Sequence, residues 1–358
     1  MLISPSLQLL LRESMDRQAS DLHLMAGLPP SLRVDGEIEF LHYDPLPADD
    51  LRKMLLGLIS ESQAARLETD RDLSFSFQVP EIGRFRASLY YQRGNLEASL
   101  RVVPLTIRTL EECGLPRAVR DLALRASGLV LVTGPTGVGK TTVLNAMVDL
   151  VNSERRARIV AIEDPIEFLH TNKRSLVIQR ELDSDTPSFQ SALMAALRQD
   201  PNVICVGEMR SLQTVATALT AAETGHLVMA TLHTQSASQT VDRIIDVFPA
   251  HQQNQVRMQL AGTLQGVISL QLLPRLAEKG RVMAYEIMLG TLGIRNVIRQ
   301  GKIEQLGNLI SMGAGEGMVP MDRCLRTLYE RGEISYDTAL ARALNPQEFR
   351  ALRAPSVS

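Results

Sequence analysis

The chain has 358 residues, 45% of them hydrophobic and 22% charged, with 38 Lys+Arg against 40 Asp+Glu and no tryptophan. At about 150 residues per domain, two domains or slightly more are expected. A near-neutral charge, few aromatics and no basic run exclude nucleic acid as the main partner. No stretch approaches the ~18 consecutive apolar residues of a membrane span, and the opening segment lacks the basic start of a secretory signal. Cys113, Cys205 and Cys324 lie too far apart for a disulfide framework or a zinc cluster. A cytoplasmic location is expected.

The first hundred residues read as a small α+β domain. Leu7, Leu10 and Leu11 fall at helical spacing ahead of Ser20. Leu73, Phe75, Phe77 and Val79 alternate with Ser74, Ser76 and Gln78. Beyond a turn at Pro80–Gly83 the same alternation continues through Phe85, Ala87 and Leu89, then through Leu96, Ala98, Leu100 and Val102. Period-two alternation with one apolar face predicts an antiparallel meander packed on one side. Arg86 and Arg101 project from its polar face. The division expected is an N-terminal domain over 1–102, a linker over 103–117 with a Gly114-Leu115-Pro116 break, an α/β core over 118–274, and a mainly helical region over 275–358.

Within the core, apolar runs at Leu129–Val132, Ile159–Ile162, Val203–Val206 and Leu227–Ala230 alternate with helical stretches. Runs apolar on both faces and separated by helices predict a mostly parallel sheet covered on both sides. The segment Gly134-Pro135-Thr136-Gly137-Val138-Gly139-Lys140-Thr141 satisfies G-x-x-x-x-G-K-[ST], the nucleotide-binding P-loop or Walker A motif. Its glycines let successive N–H groups aim at phosphate oxygens, at the positive end of the following helix. Lys140 is placed to reach the β- and γ-phosphates, the Thr141 hydroxyl to ligate Mg²⁺, and Thr142 to contact the α-phosphate. The following helix carries Val143, Leu144, Met147, Val148 and Val151 on one stripe.

P-loop enzymes also need carboxylates on neighbouring strands, one acting on Mg²⁺ and one orienting or deprotonating water. Two clusters qualify, around Glu163-Asp164-Pro165-Ile166-Glu167 and around Gly207-Glu208-Met209-Arg210, each at the end of an apolar run. His226 and His233 flank a further run and are expected near one nucleotide cleft. No Cys or third His stands at ligand spacing beside them.

These motifs together resemble the secretion ATPase superfamily that powers type IV pili and type II secretion, and within it the pilus retraction (twitching motility) ATPases. The resemblance runs from Ala19-Ser20-Asp21-Leu22-His23-Leu24 to about Leu344. It rests on the P-loop, the acidic box at Glu163–Glu167, Gln179-Arg180-Glu181, and Ala196-Leu197-Arg198-Gln199-Asp200-Pro201. It also rests on the atypical Walker B at Gly207–Arg210, the His box from Thr224 to Thr234, and Asp242-Arg243.

The resemblance implies a RecA-like ATPase domain preceded by a PAS-like α+β domain, with ATP and Mg²⁺ as cofactors. It gives Glu163 the role of water-activating acid and Glu208 that of the Walker B acid acting on Mg²⁺ through water. His226 and His233 become elements that sense the γ-phosphate or link it to subunit movement, and Arg86 and Arg101 arginines supplied to a neighbouring subunit's nucleotide. A homohexamer is implied, cytoplasmic but peripheral at the inner membrane, working on a membrane platform protein and alongside a second retraction ATPase in some cells. Gly293-Ile294-Arg295-Asn296-Val297-Ile298-Arg299-Gln300 is similar to a helical signature of retraction enzymes, with Gly293 and Gln300 among its departures. On this reading Arg295 and Arg299 are paired surface arginines that pass movement to a partner. Alternatives within the superfamily are an accessory retraction paralogue and an assembly or secretion motor. The latter usually carries a four-cysteine zinc element, for which three scattered cysteines do not suffice.

Overall fold

The computed structural model describes residues 3–34, 36–103, 106–277 and 280–350, the side chains of Glu348 and Arg350 apart. The chain forms two compact units. The first comprises residues up to Thr106 together with Pro165–Leu169; the second comprises Ile107–Asp164 and the chain from His170 onward. No helix among the described residues is long and apolar enough to cross a membrane.

In the N-terminal unit six antiparallel strands form one sheet: β1 (Asp21–Leu24), β2 (Ser31–Val34), β3 (Glu37–Phe40), β4 (Asp72–Val79), β5 (Gly83–Gln92) and β6 (Asn95–Val103), in the order β3-β2-β1-β6-β5-β4. Strands β4 and β5 follow the period-two expectation, with Phe75, Phe77, Phe85, Ala87 and Leu89 buried, while β6 keeps it at Leu96, Ala98 and Leu100 but departs from it at Glu97, which is buried, and at Val102, which is only half-buried. The helix Pro5–Asp16 starts at an extended Ser4 whose hydroxyl accepts from the Leu7 N–H, and it buries Leu7, Leu10 and Leu11. Arg86 and Arg101 are direct cross-strand partners on β5 and β6. Like charges so placed repel, and Asp21, opposite Arg101 on β1, answers with an ion pair of 3.0 Å. One loop of the later chain belongs to this unit: the Ile166 carbonyl accepts from Arg84 Nε at 3.1 Å.

The second unit is built on β7 (Gly128–Thr133), β8 (Arg158–Glu163), β9 (Leu176–Glu181), β10 (Val203–Val206), β11 (Leu227–Leu232), β12 (Leu264–Pro274) and β13 (Arg281–Leu289). Their order is β13-β12-β7-β11-β10-β8-β9, all parallel except the β12–β13 hairpin. Strands β7, β10 and β11 are buried at every residue, as their unbroken apolar runs require. The Lys140–Glu154 helix packs its predicted stripe on the sheet, with Val143, Leu144, Met147, Val148 and Val151 all buried.

Two boundaries differ from the sequence reading. The span 103–117 is not a free linker. Pro104 and Leu105 lie outside the described residues, but Leu110 and Leu115 are buried in the second unit's core, because the short turns around them present their side chains inward. The region beyond 275 also does not turn helical at once. Its first element is β13, which pairs with β12 through nine registered residues, and helices follow from Leu292.

Candidate active site

Parallel strands place their C-terminal ends on one sheet edge, where α/β domains collect functional groups. The P-loop leaves β7 at that edge, Glu163 ends β8, Gly207-Glu208 follow β10, and His233 follows β11. The loop's shape depends on its glycines. Gly134 has φ +142°, and a Cβ there would lie 2.5 Å from the Leu270 carbonyl oxygen. Gly139, at φ +94°, is the N-cap of the Lys140–Glu154 helix. Pro135, Thr136, Gly137 and Val138 form the arc between them.

Lys140 is buried, and its ammonium donates to the carbonyls of Gly134 at 2.8 Å and Pro135 at 2.9 Å. Burial lowers its pKa, with the negative charge of Glu208 opposing. His233 joins the two. Its Nε2 lies 3.0 Å from Glu208 Oε1, and its Nδ1 lies 3.4 Å from both Lys140 Nζ and Thr136 Oγ1. A neutral imidazole protonated at Nε2 satisfies this geometry, donating to the carboxylate and accepting from the lysine.

Arg210 grips Glu208 with two nitrogens, each 2.6 Å from a carboxylate oxygen. Burial raises the pKa of Glu208, but Arg210 and then His233 outweigh it, and the net shift is downward. Gly207 brings this turn close to β8, its N–H donating to the Ile162 carbonyl at 2.8 Å. The Thr231 hydroxyl donates to the Gly207 carbonyl. Glu163 is buried at 5% exposure, and Gln179 Nε2 donates to its Oε1 at 2.9 Å.

These groups fit a magnesium nucleotide. Among the described residues no three His, Cys, Asp or Glu side chains form a metal cage. Mg²⁺ is commonly held by one or two protein oxygens plus substrate phosphates, and the Thr141 hydroxyl, in the first turn of the P-loop helix, would supply such an oxygen. Both Glu208 oxygens already accept from Arg210 or His233, which favours contact with the ion through water.

The fold does not bring every expected residue here. His226 precedes β11 at its N-terminal end, about 23 Å along the strand from His233 at ~3.3 Å per residue. Its Nδ1 lies 3.0 Å from the Ala221 carbonyl, at the end of the Leu212–Glu223 helix. The expectation that both histidines flank one cleft therefore fails within this chain. Arg86 and Arg101 belong to the N-terminal unit. Arg295 is not a free surface arginine. Its guanidinium donates to the carbonyls of Gly290 at 2.7 Å, Gly262 at 2.8 Å and Leu264 at 3.1 Å. Arg299 is exposed and donates to Asn296 Oδ1 at 2.8 Å.

A P-loop at the C-terminal edge of a parallel sheet, with carboxylates at the ends of two strands beside it, defines a P-loop α/β nucleotide-binding protein. Residues 60–311 match the family described as "Type II/IV secretion system protein", and the chain belongs to that family. It is 45% identical over 340 residues to the Pseudomonas aeruginosa protein named "Type IV pilus retractation ATPase PilT", covering 95% of this chain and 98% of that one. It is 41% identical to the "Twitching motility protein" of Neisseria gonorrhoeae, covering 96% and 92%, and 40% identical to the P. aeruginosa "Type IV pilus ATPase PilU", covering 96% and 90%. A solved structure described as the pilus retraction motor PilT with bound ADP superposes with a TM-score of 0.90 at 45% identity, covering 95% and 98% of the two chains.

Proposed function

We propose that this chain is a Mg²⁺-dependent ATPase that works as a ring of six copies and drives retraction of type IV pili. The observation that carries the enzymatic part is the linked set Lys140–His233–Glu208 beside Glu163, all at the strand ends next to the P-loop. The pilus part rests on the similarity to proteins named for retraction and twitching.

In this reading Gly134–Lys140 hold the phosphates, with Thr142 at the α-phosphate and Thr141 on the ion. The Lys140 ammonium exchanges its two carbonyl partners for phosphate oxygens. Glu163 takes a proton from the attacking water. His233 ties the γ-phosphate end of the loop to Glu208, and Arg86 and Arg101 stabilise charge at a neighbouring copy's nucleotide. The ring works in the cytoplasm against an inner-membrane platform protein. The 40% identity to the second pilus ATPase of P. aeruginosa favours one further reading, an accessory retraction motor.

The test is pilus retraction in cells lacking this protein. A principal motor predicts piliated, non-retracting cells restored by the wild-type gene but not by Lys140→Ala. Normal retraction in the deletion strain contradicts that role.

A further inference from the structure

The chain leaves the nucleotide-binding unit directly after Asp164 and returns at His170, the intervening Pro165–Leu169 belonging to the N-terminal unit. The exit and the return are clasped by one side chain of β9. Gln179 Oε1 accepts the His170 backbone N–H at 2.9 Å, and Gln179 Nε2 donates to Glu163 Oε1 at 2.9 Å. The backbone N–H can only donate, so it fixes which end of the amide faces it, and the NH₂ must face Glu163.

The network continues to the P-loop helix. The His170 side chain is fully buried, with Nε2 2.7 Å from Asn145 Oδ1. Asn145 Nδ2 in turn donates to the Thr141 carbonyl at 2.9 Å. That carbonyl sets the Asn145 orientation, which makes His170 Nε2 the donor. His170 Nδ1 has no hydrogen-bond partner among the described residues and lies 3.9 Å from Asp149, which Lys173 holds at 2.7 Å. An unbroken path thus runs Thr141–Asn145–His170–Gln179–Glu163, from the residue placed to meet the metal ion to the residue placed to activate water.

We propose that Gln179 and His170 are positioning residues for hydrolysis: they set the orientation of the Glu163 carboxylate and register it to the first turn of the P-loop helix. The proposal rests on the reading of Glu163 as the water-activating acid. The Gln179 clasp ties both ends of the Pro165–Leu169 excursion to β9, and so holds the Glu163 carboxylate in one orientation. Small displacements of a reacting group carry large rate costs.

The test uses the full-length assembled protein and Mg²⁺-ATP. Gln179→Leu keeps the side chain's bulk and removes both hydrogen bonds. It should lower kcat by about tenfold or more, with KM for ATP within about twofold and the thermal midpoint little changed. Gln179→Glu places a second carboxylate against Glu163, which disfavours its ionised form, so the acid limb of the kcat–pH profile should move to higher pH. The proposal is overturned if Gln179→Leu turns over normally. It is also overturned if kcat, KM and stability all fall together while the Gln179→Glu profile stays in place, the signature of a purely structural residue. Full turnover in Glu163→Gln would instead refute the reading of Glu163 on which the proposal rests, so the two failures are told apart.

Discussion

Replacing Arg295 with alanine should destabilise the nucleotide-binding unit by about 2–4 kcal/mol. One guanidinium there holds three carbonyls, those of Gly262 and Leu264 at the end of the Ala250–Thr263 helix and that of Gly290 after β13. A hydrogen bond to a charged group contributes about 1.5–3 kcal/mol. The three share one cation, and the Gly262 contact is exposed, so they do not sum. The cation also sits where a helix C-terminus is negative, which adds to the loss. In a unit of this size each kcal/mol moves the midpoint by roughly 2–4 °C, so a drop of about 4–16 °C is expected in thermal unfolding. Arg299→Ala is the control: it removes one exposed contact to Asn296 and should stay within about 0.5 kcal/mol of wild type. The double variant should track Arg295→Ala alone. If Arg295→Ala melts within 2 °C or so of Arg299→Ala, the clamp is not a stabilising element and the helix is held by Ile294, Val297 and Ile298 alone.

Burial holds the pKa of His170 below its ordinary value, with Asp149 opposing less strongly. The unfolded chain titrates near 6.5. Between these two values the unfolded state binds a proton that the folded state refuses, so stability falls as pH drops through about 6.5. Denaturant midpoints between pH 7.5 and 5.5 should show this slope in wild type and a shallower one in His170→Gln; equal slopes refute it. If Arg86 and Arg101 act on a neighbouring copy's nucleotide, ATPase rate per subunit should rise steeply over the concentrations at which rings assemble. A flat rate from monomer to assembled protein refutes the trans arrangement.

The P-loop was legible because its chemistry is carried by residues adjacent in sequence. Strands β7, β8, β10 and β11 were legible because burial on both faces leaves unbroken apolar runs. Other elements carry weaker signals. Strands β1, β2 and β3 have four residues each, too few for a period, and β3 is exposed throughout, with Ile38 and Phe40 facing solvent. Strand β12 mixes Gln265, Ser269 and Gln271 into its apolar residues and breaks register between Leu264 and Gly266. Gln179 and Arg210, the partners that tune the acids, stood in motifs that carry the resemblance, but their roles were not legible. Gln179 lies 16 residues from Glu163 and meets it only because β9 pairs in parallel with β8. Arg210 stood in a quoted motif, yet nothing in its spacing shows that it turns back on Glu208. His226 shows the opposite failure. Two histidines flanking an apolar run look like neighbours, but a strand between them carries them to opposite ends of the sheet. Arg295 likewise shares its helical spacing with Arg299, and only the fold aims it at carbonyls from elements distant in sequence.

The most direct measurement is single-site turnover of Mg²⁺-ATP by purified, assembled protein, with nucleotide affinity measured on the same samples. Wild type should hydrolyse ATP, and Lys140→Ala should lose both binding and turnover. Glu163→Gln should bind ATP with near wild-type affinity while turnover falls by about 10²–10⁴-fold, because the change removes a proton acceptor and no phosphate contact. Turnover in Glu163→Gln equal to wild type, or hydrolysis that persists in Lys140→Ala, would contradict the assignment of this site.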